Sequence, residues 1–281
     1  DGDKAEAAER AKSLIEKQLP ARDAVELLGL LGKLNLSEEK DYRSALRVRA
    51  RAERILTLEL CDYLWTRESP AEILNWLENL PPAIAKVTEV QLRKIALQKI
   101  ARMNTKAAQS TEEIESVALA ESLKMVLEGN STPTLTNIAK EKDLVGIMRF
   151  GQLLQDPTLE LKAAEEFSLR FDQSPFAAAT VIAPARKTRN TETIAKAYSA
   201  LEKRLSDSPL TRAKATYWRL LMSPKLERAE YENLKKDCEN FLQREDIRCT
   251  MALAHFTLGS TTDALFALGD SPQSSRGKFL R

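Results

Sequence analysis

The sequence predicts an all-α protein: a solenoid of antiparallel helical hairpins with about fourteen helices. Three observations predict it. The 281 residues hold only 9 glycines, while Ala, Leu, Glu, Lys and Arg, the strong helix formers, abound. Cap residues followed directly by proline recur along the chain. Between these marks the apolar residues keep a helical spacing, and no segment reads convincingly as a strand.

In chain order, helices are expected over 4–19, 21–33, 37–67, 70–80, 83–103, 110–128, 134–155, 157–172, 175–188, 191–206, 209–222, 226–242, 246–258 and 261–269. The segment from Ser37 to Trp65 reads as one helix, longer than a repeat helix and suited to brace or cap a stack. Ser69-Pro70-Ala71-Glu72 opens the next one: a hydroxyl at the N-cap, proline at the first helical position and a glutamate that completes a capping box. Ser110-Thr111-Glu112-Glu113 reads as a capping box without the proline. Thr132-Pro133, Asp156-Pro157, Ser174-Pro175, Ser208-Pro209 and Ser223-Pro224 repeat the cap-then-proline form. Proline costs little there, because its missing N–H has no intrahelical partner in the first turn. The helix at 134–155 leaves open a break near Gly146. Leu161, Ala164 and Phe167, then Ile194, Ala197, Tyr198, Leu201 and Leu205, mark the buried faces of two later helices. Phe176 to Ala185, "FAAATVIAPA", is the best strand candidate, but its alanines and its flanking cap make it a buried helix.

The caps at Ser174 and Ser208 lie 34 residues apart (208 − 174), and a third pair opens near Asp246. A hairpin of that size cannot bury its apolar face alone, so neighbours stack and share a core. Two regions follow: an N-terminal helical region, 1–110, with the long helix, and a hairpin-repeat region, 111–281, or both as one continuous solenoid.

In the last hairpin, "RCTMALAHFTLGSTTDALFALGDSP", Ala252, Gly259 and Ala264 stand at the spacing of small residue, turn glycine and second-helix alanine, with Met251 and Leu268 at further apolar positions. This stretch resembles the tetratricopeptide-repeat family, and Ala195 looks like the same alanine one cycle earlier. The resemblance covers 174–272 and departs from the pattern at Arg248 and His255, where aromatics are usual, and at the closing proline. It implies a right-handed tetratricopeptide-like solenoid there; a helical-hairpin array of another kind is the alternative.

A formal charge of +2 is close to balance and argues against a nucleic-acid partner. No apolar run is long enough to span a bilayer. The chain opens "DGDKAEAAERAK" without an initiator methionine or an apolar signal segment, as in a trimmed chain or a mature chain whose targeting peptide has gone. Compartment and oligomeric state are not readable.

Candidate chemistry is sparse. His255, the lone histidine, lies in an amphipathic helix with Asp263 as its nearest carboxylate in sequence, and reads as a packing residue. With one histidine and dispersed cysteines, no metal site is expected. "GLLGKL" has neither P-loop spacing nor a hydroxyl after its lysine, and no cofactor is expected. Cys238 and Cys249 flank a turn, as a disulfide or as two buried thiols. Arg43, Arg47, Arg51 and Arg54 recur at four, four and three, one face of the long helix, and are the candidate partner-binding row. Glu39, four before Arg43, and Glu53, four after Arg49, are placed to pair some of the charge locally. "ARKTRN", Ala185 to Asn190, is a smaller basic cluster in a turn. Ile73, Trp76, Leu77 and Leu80 form either a hairpin core or, if exposed, a docking face. The expected function is a non-enzymatic scaffold that binds a protein or peptide. The alternatives are a helical domain of an enzyme with a carboxylate site between the halves, and an RNA-binding helical-repeat protein.

Overall fold

A computed structural model describes residues 2–129, 135, 138–172, 177–205 and 207–269. Among the described residues there are seventeen α-helices and no strand. The chain forms two compact units, residues 1–156 and 157–281; position 110 falls inside the first of them.

The first unit contains α1 (Gly2–Ile15), α2 (Ala21–Lys33), α3 (Glu38–Ala50), α4 (Arg54–Leu64), α5 (Pro70–Glu78), α6 (Pro82–Ala85), α7 (Thr88–Ile100), α8 (Asn104–Thr111), α9 (Val117–Leu127) and α10 (Glu141–Leu154). Helices α2, α3 and α4 pack on one another, and α7 packs against α4, α5, α6, α8 and α10. That central position explains why α7 buries Val90, Leu92, Arg93, Ile95, Leu97 and Gln98 on more than one face.

Local cap chemistry works as expected at Ser69. The Glu72 N–H donates to Ser69 Oγ (3.3 Å), and Ser69 donates its N–H (2.9 Å) and hydroxyl (2.7 Å) to Glu72 Oε2. Those bonds from Ser69 hold the Glu72 carboxyl below the usual range. The Ser69→Ala variant should lose about 1 kcal/mol. A depressed carboxyl contributes stability that is present above its unfolded pKa and fades as pH falls through its folded one. The deficit in a urea melt should therefore shrink when the melt is repeated under acid.

The expected helix over 37–67 is two helices. Residues 51–53 form a turn, and Glu53 takes extended angles (φ −129°, ψ 104°). Thr57, fully buried, clamps the turn by donating its hydroxyl to the Ala50 carbonyl (2.6 Å). The reversal folds α3 back on α4 and sets Leu46 and Ala50 in the same core as Leu56, Leu60 and Leu64. A straight helix would have carried the two groups apart.

The helix expected over 83–103 starts anew after Val87, which takes extended angles before α7. Ser110-Thr111-Glu112-Glu113 is no capping box either: it ends α8, with Ser110 and Thr111 buried. Ser116 caps α9 instead, accepting from the Leu119 N–H (3.4 Å) and donating to Asp143 Oδ2 (2.6 Å). Helix α10 runs unbroken through Gly146. A Cβ there would meet the Leu119 methyls at 3.3 and 3.4 Å, so the glycine permits close packing on α9 rather than a break.

The second unit contains α11 (Pro157–Arg170), α12 (Ala177–Lys187), α13 (Thr191–Arg204), α14 (Pro209–Met222), α15 (Arg228–Cys238), α16 (Glu245–Thr257) and α17 (Thr261–Leu268). Each packs on the next, and α14 also reaches α16, the neighbour-to-neighbour pattern of stacked hairpins. Buried Ala163, Ala164, Ala177, Ala178, Ala213 and Ala252 keep the helices close. The "FAAATVIAPA" segment is helical from Ala177, with Pro184 buried inside α12.

Ser208 caps α14 as expected, accepting from the Thr211 N–H (3.4 Å). Ser223 does not cap the next helix: it closes α14, and Glu227 with Glu230 forms the capping box of α15. The last turn of the helix expected to 242 is a 3-10 turn, Glu239–Phe241. Gly259 takes a left-handed φ of 83° and ends α16. Thr132-Pro133 and Ser174-Pro175 lie outside the described residues. No helix among the described residues is long and apolar enough to cross a membrane.

Candidate functional site

The arginine row does not share one helix face. Arg43 and Arg47 lie on α3 and converge on Glu68, whose side chain is only 9% exposed; Arg43 Nη1 donates to Glu68 Oε1 at 2.9 Å and also pairs with Glu39. The Arg47 guanidinium also lies over the Trp76 ring, 5.8 Å from its centroid. Arg51 follows the end of α3 and is exposed, and Arg54 opens α4 and pairs with Glu89. The break at 51–53 is what divides the row. Ile73, Leu77 and Leu80 are buried, so the Trp76 segment is core. In the "ARKTRN" cluster, Arg186 donates to Tyr198 Oη (2.8 Å) and Lys187 pairs with the buried Glu160.

His255 lies between α15 and α17. Its Nε2 is 3.4 Å from Tyr231 Oη, the two rings meet edge to face, and its Nδ1 is 4.0 Å from Asp263 Oδ2. Asp263 in turn accepts from the Ser260 hydroxyl. Burial pushes the Tyr231 hydroxyl up, away from ionisation, so this is no activated nucleophile. The contacts tie three helices together. Replacing His255 with phenylalanine should leave the thermal midpoint close to that of the parent. Gly259→Val, forced to the left-handed φ, should cost roughly 1–3 kcal/mol in the same melts.

Cys238 and Cys249 are not joined, and both are buried, as is Cys61. Burial pushes the Cys238 and Cys61 thiols up to about 12, which leaves neither as a thiolate at neutral pH. Among the described residues no three His, Cys, Asp or Glu side chains converge as a metal site would need.

The strongest candidate is a cleft of about 600 Å³ formed by α13, α14 and α15 in the second unit. Arg212, Thr216 and Arg219 lie along one side of α14, at spacings of four and three. Glu230, Asn233 and Asp237 lie along one side of α15, at spacings of three and four, and Glu202 enters from α13. Arg212 makes a two-pronged ion pair with Asp237, with Nε donating at 2.9 Å, and Arg219 pairs with Glu230 at 3.3 Å. Leu234, itself buried, and exposed Lys236 complete the lining. Glu202, partly buried, makes no hydrogen bond or ion pair among the described residues. Burial pushes its carboxyl up, against the pull of Arg219 and Arg212. These residues belong to no sequence motif. The signal that was present is the recurrence of polar residues at three- and four-residue spacings on successive helices.

No protein-family model matches the chain, and no curated protein matches it.

Proposed function

We propose that this chain is a non-enzymatic scaffold of tetratricopeptide-like helical hairpins that binds a protein or peptide partner. The observation that supports it best is the cleft across α13, α14 and α15: a polar, open surface built from successive helices of a stack. Stacked hairpins generate extended surfaces of this kind, on which a partner segment meets several helices at once. Native affinity capture followed by reconstitution from purified components tests the reading. A saturable complex of fixed stoichiometry is expected. The absence of any partner, together with a large rise in melting temperature on adding a small molecule, would contradict it.

One observation favours a second reading, an enzyme with a carboxylate site: Glu202 is a carboxyl raised by burial inside a cleft. Acid–base chemistry in this cleft would rest on Glu202 alone, because Asp237 and Glu230 are held in ion pairs. Turnover of a substrate that disappears in Glu202→Gln would decide for it.

A further inference from the structure

The charges that line the cleft are not all matched. Asp237 answers Arg212, and Glu230 answers Arg219. Two charged side chains are left over, Glu202 and Lys236, and their situations differ. Lys236 is exposed and keeps its water. Glu202 has lost part of its hydration and has received no donor in exchange, the costly case for a carboxylate. The nearest guanidiniums, on Arg212 and Arg219, direct their N–H groups to other acceptors. What the cleft lacks is one hydrogen-bonding cation beside Glu202.

Resting on the scaffold reading, we propose that the partner is a peptide segment that inserts a lysine or arginine side chain into this cleft and pairs it with Glu202. Thr216 and Asn233 line the cleft and offer hydrogen bonds to the segment's backbone. The volume of about 600 Å³ accommodates more than one side chain. A charge-assisted pair formed in a partly desolvated cleft is stronger than one formed at an open surface.

The test uses the full chain and an array of short peptides with equal numbers of basic, neutral and acidic members, followed by fluorescence anisotropy on the peptides retained. The expected result is selection of basic peptides, with affinity falling at least about tenfold in Glu202→Gln and in peptides whose lysine is replaced by norleucine. Glu202→Asp, which keeps the charge, should restore part of it, and thermal melts confirm that each variant is folded. Selection of neutral or acidic peptides, or binding indifferent to Glu202→Gln, overturns this inference and leaves the scaffold reading standing. Absence of binding to every class overturns this inference, and the scaffold reading falls with it only when native capture also returns no partner. Spermidine is the second probe: if it binds alone with the same dependence on Glu202, the cation comes from a free polyamine, and the peptide assignment falls.

Discussion

Phe150→Ala should destabilise the first unit by about 3–5 kcal/mol, a large part of the stability of a domain this size. Among the described residues, Phe150 is the largest of the fully buried side chains. It lies on the buried face of α10, which packs against both α7 and α9. Removing it costs the transfer free energy of the ring and leaves a cavity that the surrounding helices can only partly close. Gly146, one turn away on the same helix, already lets α10 approach Leu119 closely, which leaves little room for further collapse. Urea melts of the two proteins measure the effect. A loss below about 1 kcal/mol would mean that α10 is not part of this core.

The second large effect is electrostatic. Asp62 receives both prongs of the Arg93 guanidinium, Nε at 2.9 Å and Nη2 at 2.8 Å, and also pairs with Arg149. The Arg93 side chain is 5% exposed, whereas Asp62 is 37% exposed. Asp62→Ala would leave a buried guanidinium facing a second cation, with only the Glu89 carbonyl still accepting from it. Removing one member of a buried pair typically costs 3–5 kcal/mol, and the exposure of Asp62 reduces that to about 2–3 kcal/mol here. The double variant Asp62→Leu with Arg93→Met should recover much of the loss, because it removes the stranded charge as well. A double variant less stable than Asp62→Ala would show that the pair holds the unit together by more than charge matching.

The readable parts of the fold were those with local causes. Ser69 and Ser208 cap helices because a hydroxyl and a proline within a few residues are enough to start one. Gly259 ends α16 because its backbone can take a left-handed φ. The all-α class and the hairpin order of the second unit follow from the same signals repeated. The breaks in the first unit have tertiary causes. Nothing between Ala50 and Arg54 resembles a breaker; the turn exists because Ala50 and Leu56 are both buried in one core, with Thr57 bridging it. Gly146, which looks like a break, is a contact with Leu119. Ser110 carries the cap pattern, yet Ser116 does the capping because Asp143, far along the chain, accepts its hydroxyl.

The candidate site was less legible for a related reason. The arginine row is conspicuous in one dimension, but Glu68 and Glu89, distant in sequence, take up Arg43, Arg47 and Arg54. The cleft residues carry no motif. Their relevance comes from which charges the folded chain pairs and which it leaves unanswered. Glu202 and Asp237 look alike in the sequence; only the position of Arg212 separates them.

The central claim is that the second unit receives a partner in the cleft between α13, α14 and α15. The most direct measurement is the dissociation constant of the purified partner for the parent chain and for Asn233→Trp. Asn233 is exposed and lines the cleft, so an indole there fills the space while leaving the helix packing alone. The account predicts loss of binding by at least about tenfold with an unchanged melting temperature. Binding of equal strength by the two proteins would contradict it.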